Sequence, residues 1–162
     1  MASDFRFPTD RRTLVVEGMR FASHPKIMGI INATDDSFFE GSRIMDSEAV
    51  QKGIAMWEAG ATWVDVGGES TRPGADPVDE VMELQRVIPV IEGLREARPD
   101  GLISIDTRHA SVARQALKAG ADMVNDVSGL RDPKMVEVVL EAGCAVCVMH
   151  MQGEPGTMQA NP

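Results

Sequence analysis

Residues 61–75 read ATWVDVGGESTRPGA, an apolar run that passes directly into a loop containing glycine, proline and polar side chains. The run from 61 to 66 has the length and β-branched content of a buried strand, and the glycines and proline end it abruptly. The loop could be a solvated turn. It combines a Glu, a Ser, a Thr and an Arg, however, and polar groups on a loop next to a rigid strand are typical of binding sites. We therefore interpret residues 67–75 as a binding loop.

The junction that precedes this strand recurs along the chain. Residues 58–66 read EAGATWVDV, residues 118–127 read KAGADMVNDV, and residues 141–146 read EAGCAV. In each copy a helical pattern ends in a glycine that suits the left-handed C′ position, and a strand follows at once. Repeated helix-to-strand junctions predict alternating strands and helices, and hence a parallel sheet.

Hydrophobic periodicity places the individual elements. It predicts strands at 27–32, 62–66, 102–106, 122–126 and 145–149, and helices at 46–59, 77–98, 110–119 and 133–142. Asp46 and Asp132 suit helix N-caps, and Pro89 is expected to kink or split the second helix. The expected domains are an N-terminal hairpin or cap over residues 1–26, which would cover the floor of the sheet, and a barrel-type domain over 27–162.

Two architectures fit this pattern, an open doubly wound sheet and a (β/α)₈ TIM barrel. Polar residues end successive strands at Asn32, Asp65, Asp106 and Asn125, which favours the barrel, since a doubly wound site concentrates at one switch point. About five strands and four helices are little more than half of a barrel that normally takes about 250 residues. The predicted fold class is therefore α/β, an incomplete barrel of the TIM family.

Composition excludes several classes of function. A net charge of −9 over 162 residues argues against nucleic acid as a partner. No window resembles a membrane span or a signal peptide, so the cytoplasm is the expected location. Cys144 and Cys147 spell C-x-x-C, but we expect buried reduced thiols, because residues three apart on a strand point to opposite faces.

Asp106 and Asn125 are the first candidate ligand contacts. A carboxylate that points into a barrel mouth needs a partner, such as a cation or an amide-bearing heterocycle, although Asp106 could instead cap the helix that starts near His109. Of the adjacent Asn125 and Asp126, we expect Asn125 to face inward. Together with Asp106 it would suit the edge of a flat ring such as a pterin or purine, unless it only ties two strands together.

The loop after Asn32 is the second candidate. It holds three carboxylates, Asp35, Asp36 and Glu40, and oxygen-rich loops suit Mg²⁺, although a solvated acidic turn has a similar composition. Phe38 and its neighbour Phe39 in so polar a loop indicate a lid over a ligand.

Five segments together resemble dihydropteroate synthase, the folate-pathway enzyme family that joins p-aminobenzoate to a dihydropterin diphosphate. They occur in order from residue 27 onward: IMGIIN at 27–32, DVGGESTRPG at 65–74, SIDT at 104–107, NDV at 125–127 and MHMQG at 149–153.

The resemblance implies a TIM barrel and a set of roles. It assigns catalysis to Thr71, Arg72 and Asp106, adds substrate contacts at Pro73, Asn125 and Phe38, and assigns a Mg²⁺ site to Asn32 and Glu40. The implied partners are the dihydropterin diphosphate and p-aminobenzoate, in a homo-oligomer that sulfonamides would target. The implied chemistry is loss of diphosphate followed by attack of the arylamine nitrogen, which depends on positioning and charge stabilisation.

The chain departs from the family pattern in two respects. Asp35, Glu40 and Ser42 replace the family's usual proline, aspartate and glycine in the first loop, which puts metal geometry in doubt. Segments that the family carries on strands six to eight do not occur. We therefore expect this chain alone to be an inactive fragment. A non-catalytic binding or assembly module and the pterin-binding domain of a corrinoid methyltransferase remain as alternatives.

Overall fold

The structure, a computed structural model, describes residues 14–17, 19, 25–33, 42–69 and 78–150. Within these residues five strands alternate with four helices. The strands are β1 (Met28–Asn32), β2 (Trp63–Gly67), β3 (Leu102–Asp106), β4 (Met123–Asp126) and β5 (Ala145–Val148). The helices are α1 (Ser42–Glu58), α2 (Glu80–Ala97), α3 (Ala110–Ala119) and α4 (Pro133–Ala142).

The five strands form one parallel sheet in the order β1-β2-β3-β4-β5. Each strand pairs with the next one in sequence, so the described sheet has no reversal of strand order. A doubly wound sheet requires such a reversal, whereas a barrel is built by sequential addition. The sheet therefore has the order that the barrel interpretation requires.

The main core lies between the outer face of the sheet and the helices. Val64, Val66, Ile103, Ile105 and Val124 contribute the sheet side and are fully buried. They pack in one cluster with residues of all four helices, among them Val87, Ile91, Leu94, Val112 and Met135, also fully buried. Alternate residues of each strand consequently point to the opposite, inner face.

A smaller cluster occupies the inner face at the start of the strands. It contains the first residues of four strands, Trp63, Leu102, Met123 and Ala145, together with Val15, which is 6% exposed. Residues 14–17 are helical and do not form a strand of the expected hairpin. Of the other residues in the segment 1–26, the structure describes only 19, 25 and 26. An apolar residue on a helical turn can place its side chain against the sheet without a strand partner, which explains the difference.

The repeated junction has the expected geometry. Gly60, Gly120 and Gly143 follow α1, α3 and α4, and all three have positive φ angles, of 101°, 117° and 63°. Only glycine adopts this region without a steric penalty, so it ends each helix and turns the chain into the next strand.

Three boundary predictions need correction. Helix α1 starts at Ser42, so Asp46 lies inside it and is not its N-cap. Helix α2 starts at Glu80 instead of residue 77, because Asp79 is the N-cap and accepts from the Met82 N–H at 2.8 Å. Pro89 does not split α2, since burial of neighbouring residues such as Val90 offsets the hydrogen bond that proline cannot make; a kink at Pro89 stays a prediction.

Candidate functional site

One row of residues crosses the whole sheet where the strands end. The strand register pairs Asn32 with Gly67, Gly67 with Asp106, Asp106 with Asn125, and Asn125 with Cys147. All five belong to the inner face. Three residues predicted from the sequence, Asn32, Asp106 and Asn125, thus lie in a single row at one edge of the sheet. Cys147 is exposed there, which corrects the expectation of a buried thiol.

Gly67 leaves a gap in this row between Asn32 and Asp106. A Cβ atom at this position would lie 3.5 Å from both Cβ and Oδ2 of Asp106. Any larger side chain would fill the space between Asn32 and Asp106. Glycine therefore keeps the inner surface open beside the Asp106 carboxyl.

The Asp106 carboxyl has an unusual protonation equilibrium. Burial, reinforced by the negative charges of Asp65, Glu83, Asp126 and Glu69, raises its pKa to about 7. The charged form is disfavoured because the carboxylate loses hydration among groups of its own sign. At neutral pH this group can therefore either accept or donate a hydrogen bond, and a ligand with N–H donors would favour the charged form.

Asn125 is oriented by a residue on a more distant strand. Its Nδ2 donates to Oδ2 of Asp65 at 3.0 Å, although β3 lies between their strands. Asp65 is 3% exposed. Burial raises the pKa of Asp65, and hydrogen bonding from Ser104 and Asn125 opposes that rise.

The neighbouring residue, Asp126, has a structural role. It is fully buried, and its two carboxylate oxygens accept from the N–H groups of Ser128 and Leu130 at 2.8 and 2.9 Å. These bonds hold the turn after β4. Asp126 lies on the outer side of the sheet, and the adjacent Asn125 therefore faces inward.

Glu69 links the start of the predicted binding loop to the chain just beyond its end. Its Oε1 accepts from the N–H of Val78, beyond the loop, at 3.1 Å. Arg108 donates to the same carboxylate through Nε at 2.7 Å and Nη2 at 2.9 Å. Burial alone would raise the pKa of Glu69, but the bonds from Arg108 and Val78 together with nearby positive charge outweigh it, and the pKa is lowered.

Further buried contacts lie next to the start of the binding loop, which we call the loop base (residues 67–69). Arg86 donates through Nη1 to the Gly68 carbonyl at 2.8 Å. Glu83, fully buried on α2, lies 2.6 Å from Nδ1 of His109. Burial raises the pKa of Glu83, while hydrogen bonds from His109 and Thr107 lower it in part. Polar side chains therefore hold both the segment after β2, at residues 68–69, and the segment after β3, at residues 108–109. The sequence alone assigned no site role to Glu83, Arg86 or Arg108.

Five of the predicted site residues are not among those described. Phe38, Glu40, Thr71, Arg72 and Pro73 lie outside the described residues, so their roles stay predictions. The same holds for the Mg²⁺ site, of which only Asn32 is described. Within the described part of the chain, no group of three or more His, Cys, Asp or Glu side chains could hold a metal ion.

Comparison with known sequences places this arrangement in a class. The sequence model of the family described as "Pterin binding enzyme" matches residues 28–162. The chain therefore belongs to the pterin binding enzymes.

Particular relatives are dihydropteroate synthases. The chain is 49% identical over 143 residues to the dihydropteroate synthase of Escherichia coli strain K12, covering 86% of this chain and 50% of that protein. It is 48% identical over 141 residues to the enzyme of Haemophilus influenzae, covering 86% of this chain and 51% of that protein. The chain thus spans about half the length of these relatives, and the resemblance recognised in the sequence is confirmed.

Solved structures that match this chain are also dihydropteroate synthases. The Xanthomonas albilineans dihydropteroate synthase with 4-aminobenzoic acid matches with a TM-score of 0.74 and 45% identity, covering 81% of this chain and 48% of that one. The Clostridium difficile enzyme in the presence of pteroic acid matches with a TM-score of 0.76 and 48% identity, covering 82% and 51% respectively. These matches confirm the predicted incomplete TIM-type barrel. Among the described helices, none is long and apolar enough to cross a membrane.

Proposed function

We propose that this chain supplies the strand-one-to-five half of a dihydropteroate synthase, which condenses p-aminobenzoate with 6-hydroxymethyl-7,8-dihydropterin diphosphate and releases diphosphate. The observation that carries the proposal is the row of Asn32, Asp106 and Asn125 on the inner face, with Gly67 leaving space beside it. Dihydropteroate synthases that this chain resembles are solved with 4-aminobenzoic acid and with 7,8-dihydropteroate.

The pterin ring would contact Asp106 and Asn125. The raised pKa of Asp106 means that a neutral carboxyl and a carboxylate are close in free energy at pH 7. Ring N–H groups that donate to the carboxylate would stabilise the charged form, and the half-buried setting strengthens such bonds. Binding would therefore orient the ring while it recovers part of the desolvation cost of Asp106.

The diphosphate would lie near Asn32 and the binding loop. Asn32 is exposed at the end of β1 and offers an amide oxygen, a ligand type that Mg²⁺ accepts, and Mg²⁺ keeps several waters and bridges phosphates. Bound there with Glu40, Mg²⁺ would supply charge neutralisation for the leaving diphosphate. Thr71, Arg72 and Pro73 in the loop, and Phe38 as a lid, are proposed to contact substrate.

The loop base explains how such contacts would be positioned. Glu69 accepts from Val78 and from Arg108, so it ties the start of the loop both to the chain just beyond the loop and to the chain that follows Asp106. A loop with fixed ends reaches the same ligand with a smaller loss of conformational entropy on binding. We place the working protein in the cytoplasm as a homo-oligomer. The Yersinia pestis dihydropteroate synthase is solved with a sulfonamide drug, which supports the proposal that sulfonamides also bind the protein to which this chain contributes.

A non-catalytic assembly module is the second candidate. The inner side of the outermost strand β1 bears Ile30, which is 60% exposed, and Val148 at the end of β5 is 53% exposed. Within the described part of the chain, β1 and β5 are the edge strands of the sheet, and unpaired strand edges with exposed apolar groups favour pairing with another polypeptide. In either case we expect no synthase activity from the isolated chain.

A chimera tests the proposal. Residues 1–150 would be fused to the second half of the Escherichia coli relative, and dihydropteroate formation would be measured with dihydropterin diphosphate, p-aminobenzoate and Mg²⁺. We expect activity in the chimera and its loss, by at least about a hundredfold, on Asp106→Ala. A folded chimera that is inactive, or one that Asp106→Ala leaves active, would contradict the proposal.

A further inference from the structure

Asp65 is a buried carboxylate in the interior of the sheet with no role in the sequence-predicted site. Asp65 lies at the centre of β2, two residues before Gly67, and its side chain points to the same inner face. Burying a carboxylate costs free energy unless it makes specific hydrogen bonds. Asn125 Nδ2 donates to Oδ2 of Asp65 at 3.0 Å, and Ser104 is a further hydrogen-bond partner of Asp65.

We propose that Asp65 is a positioning residue, which fixes the orientation of the Asn125 side-chain amide so that its carbonyl oxygen faces the ligand. The two ends of an amide have nearly the same shape but opposite hydrogen-bonding character. In its charged form Asp65 only accepts, and the NH₂ end of Asn125 accordingly points toward it and donates to Oδ2. Oδ1 is then left as an acceptor beside Asp106. The identity of the ligand as a pterin rests on the proposed function.

This orientation sets a chemical preference. Asp106 in its charged form and Oδ1 of Asn125 are both acceptors, and they are adjacent in the strand register. They fit a ring edge that carries N–H donors, such as the amino-pyrimidinone edge of a pterin. A ring with a carbonyl in place of the amino group would bring two acceptors together at Asn125, which leaves buried polar groups unpaired.

Asp65 also influences Asp106. Of the four carboxylates that raise the pKa of Asp106, Asp65 has the largest effect, followed by Glu83, Asp126 and Glu69. Removing the charge of Asp65 is therefore expected to lower the pKa of Asp106 below about 7 while the other three remain.

The test compares two ligands. Dissociation constants of 6-hydroxymethylpterin and 6-hydroxymethyllumazine, whose ring has an oxo group at the amino position, would be measured for the chain, for Asp65→Asn, for Asn125→Ala and for the double variant. We expect Asp65→Asn to reduce the preference for the pterin about tenfold, since the amide can then turn over. In the Asn125→Ala background the same change is expected to leave the preference unaltered.

Asp122→Asn is the matched control. Asp122 is a fully buried carboxylate at the other end of the strands, where its Oδ2 accepts from Arg95 and from the Ile103 N–H at 2.8 and 2.9 Å. Its loss should lower stability and weaken both ligands equally. Equal weakening of both ligands by Asp65→Asn, or the same effect of Asp65→Asn with and without Asn125, would overturn the proposal.

A ligand-free measurement separates this proposal from the proposed function. In NMR spectra of the unliganded chain, the side-chain NH₂ protons of Asn125 should exchange slowly with water and become fast-exchanging in Asp65→Ala, while Asp122→Asn leaves them protected. If neither ligand binds the unaltered chain, the pterin assignment fails, and exchange at Asn125 decides the role of Asp65 by itself. Fast exchange in the unaltered chain would refute that role.

Discussion

Replacing Glu69 with glutamine tests whether this carboxylate holds the base of the binding loop. The carboxylate accepts two hydrogen bonds from Arg108 and one from the Val78 N–H. Glutamine has almost the same size and keeps one acceptor, but its NH₂ group would face a guanidinium donor. The change therefore removes charge and bonding without creating a cavity.

The size of the effect depends on exposure. Hydrogen bonds to charged groups contribute about 1.5–3 kcal/mol when well desolvated. The Arg108 side chain is 34% exposed and that of Glu69 15%, so solvent screening reduces this value. We expect Glu69→Gln to lower the free energy of unfolding by about 1–2 kcal/mol at pH 7, or the melting temperature by about 3–6 °C.

The pH dependence gives the sharper assay. The folded-state pKa of Glu69 is lowered, so its contribution is fully present above the ordinary value of 4.5 and is lost as pH falls through the folded-state pKa. Urea unfolding of both proteins at pH 7 and pH 3 should show a difference at pH 7 that shrinks at pH 3.

A second salt bridge provides the control. Arg114 on α3 donates to Glu141 on α4 at 2.6 Å, and these side chains are 32% and 31% exposed. Glu141→Gln should cost a similar or smaller amount of stability but leave pterin binding unchanged, whereas Glu69→Gln should weaken it. An unchanged unfolding free energy in Glu69→Gln, or a loss that is the same at pH 3, would refute the reasoning.

Three further predictions concern the row and the sheet edges. Asp106→Asn should stabilise the chain by about 1–3 kcal/mol at pH 8 and little at pH 4. The folded-state pKa of Asp106 is raised, so its carboxyl destabilises the fold as pH rises from 3.8 through about 7. Unfolding curves at pH 8 and pH 4 check this, and equal effects at the two pH values would contradict it. Asn32→Ala should reduce the enhancement by Mg²⁺ of diphosphate binding about tenfold without changing pterin affinity, measured by calorimetry; an unchanged Mg²⁺ effect would remove Asn32 from the proposed metal site. The isolated 162-residue chain should self-associate at micromolar concentration, and Ile30→Lys should reduce association; a compact monomer in sedimentation would show that the exposed edges need no partner.

The sequence predicted the sheet because local signals agreed with one another. The glycine that ends a helix and the apolar run that comes after it are contiguous, so the junction near Gly120 could be recognised without knowledge of the fold. Once the strands are parallel and sequential, strand ends must meet at one edge. This places Asp106 and Asn125 side by side, as the register shows.

Contacts between distant residues were not predicted. Arg108 and Glu69 are 39 residues apart, and Glu83 and His109 are 26 apart. A charged residue on a helix normally reads as solvent-facing, yet Glu83 is fully buried because His109 supplies a partner. The signal that was available is the presence of two adjacent side chains with N–H donors, Arg108 and His109, shortly after a strand, where such residues can reach the neighbouring loop.

Helix boundaries also depended on tertiary structure. Pro89 breaks an isolated helix, but its neighbours Val87, Val90 and Ile91 are fully buried and keep α2 continuous. Intrinsic propensity was therefore a weaker influence here than packing against the sheet.

A map of ligand contacts by NMR tests the proposed pterin site most directly. 6-Hydroxymethylpterin would be titrated to saturation into the isotopically labelled chain, and chemical-shift changes would be recorded for backbone and side-chain amides. We predict that the largest changes cluster at Asn32, Gly67, Asp106 and Asn125, and that Asp106→Ala abolishes them. Changes centred on the outer helices, or no change at these four positions, would contradict a pterin site on the inner face of the sheet.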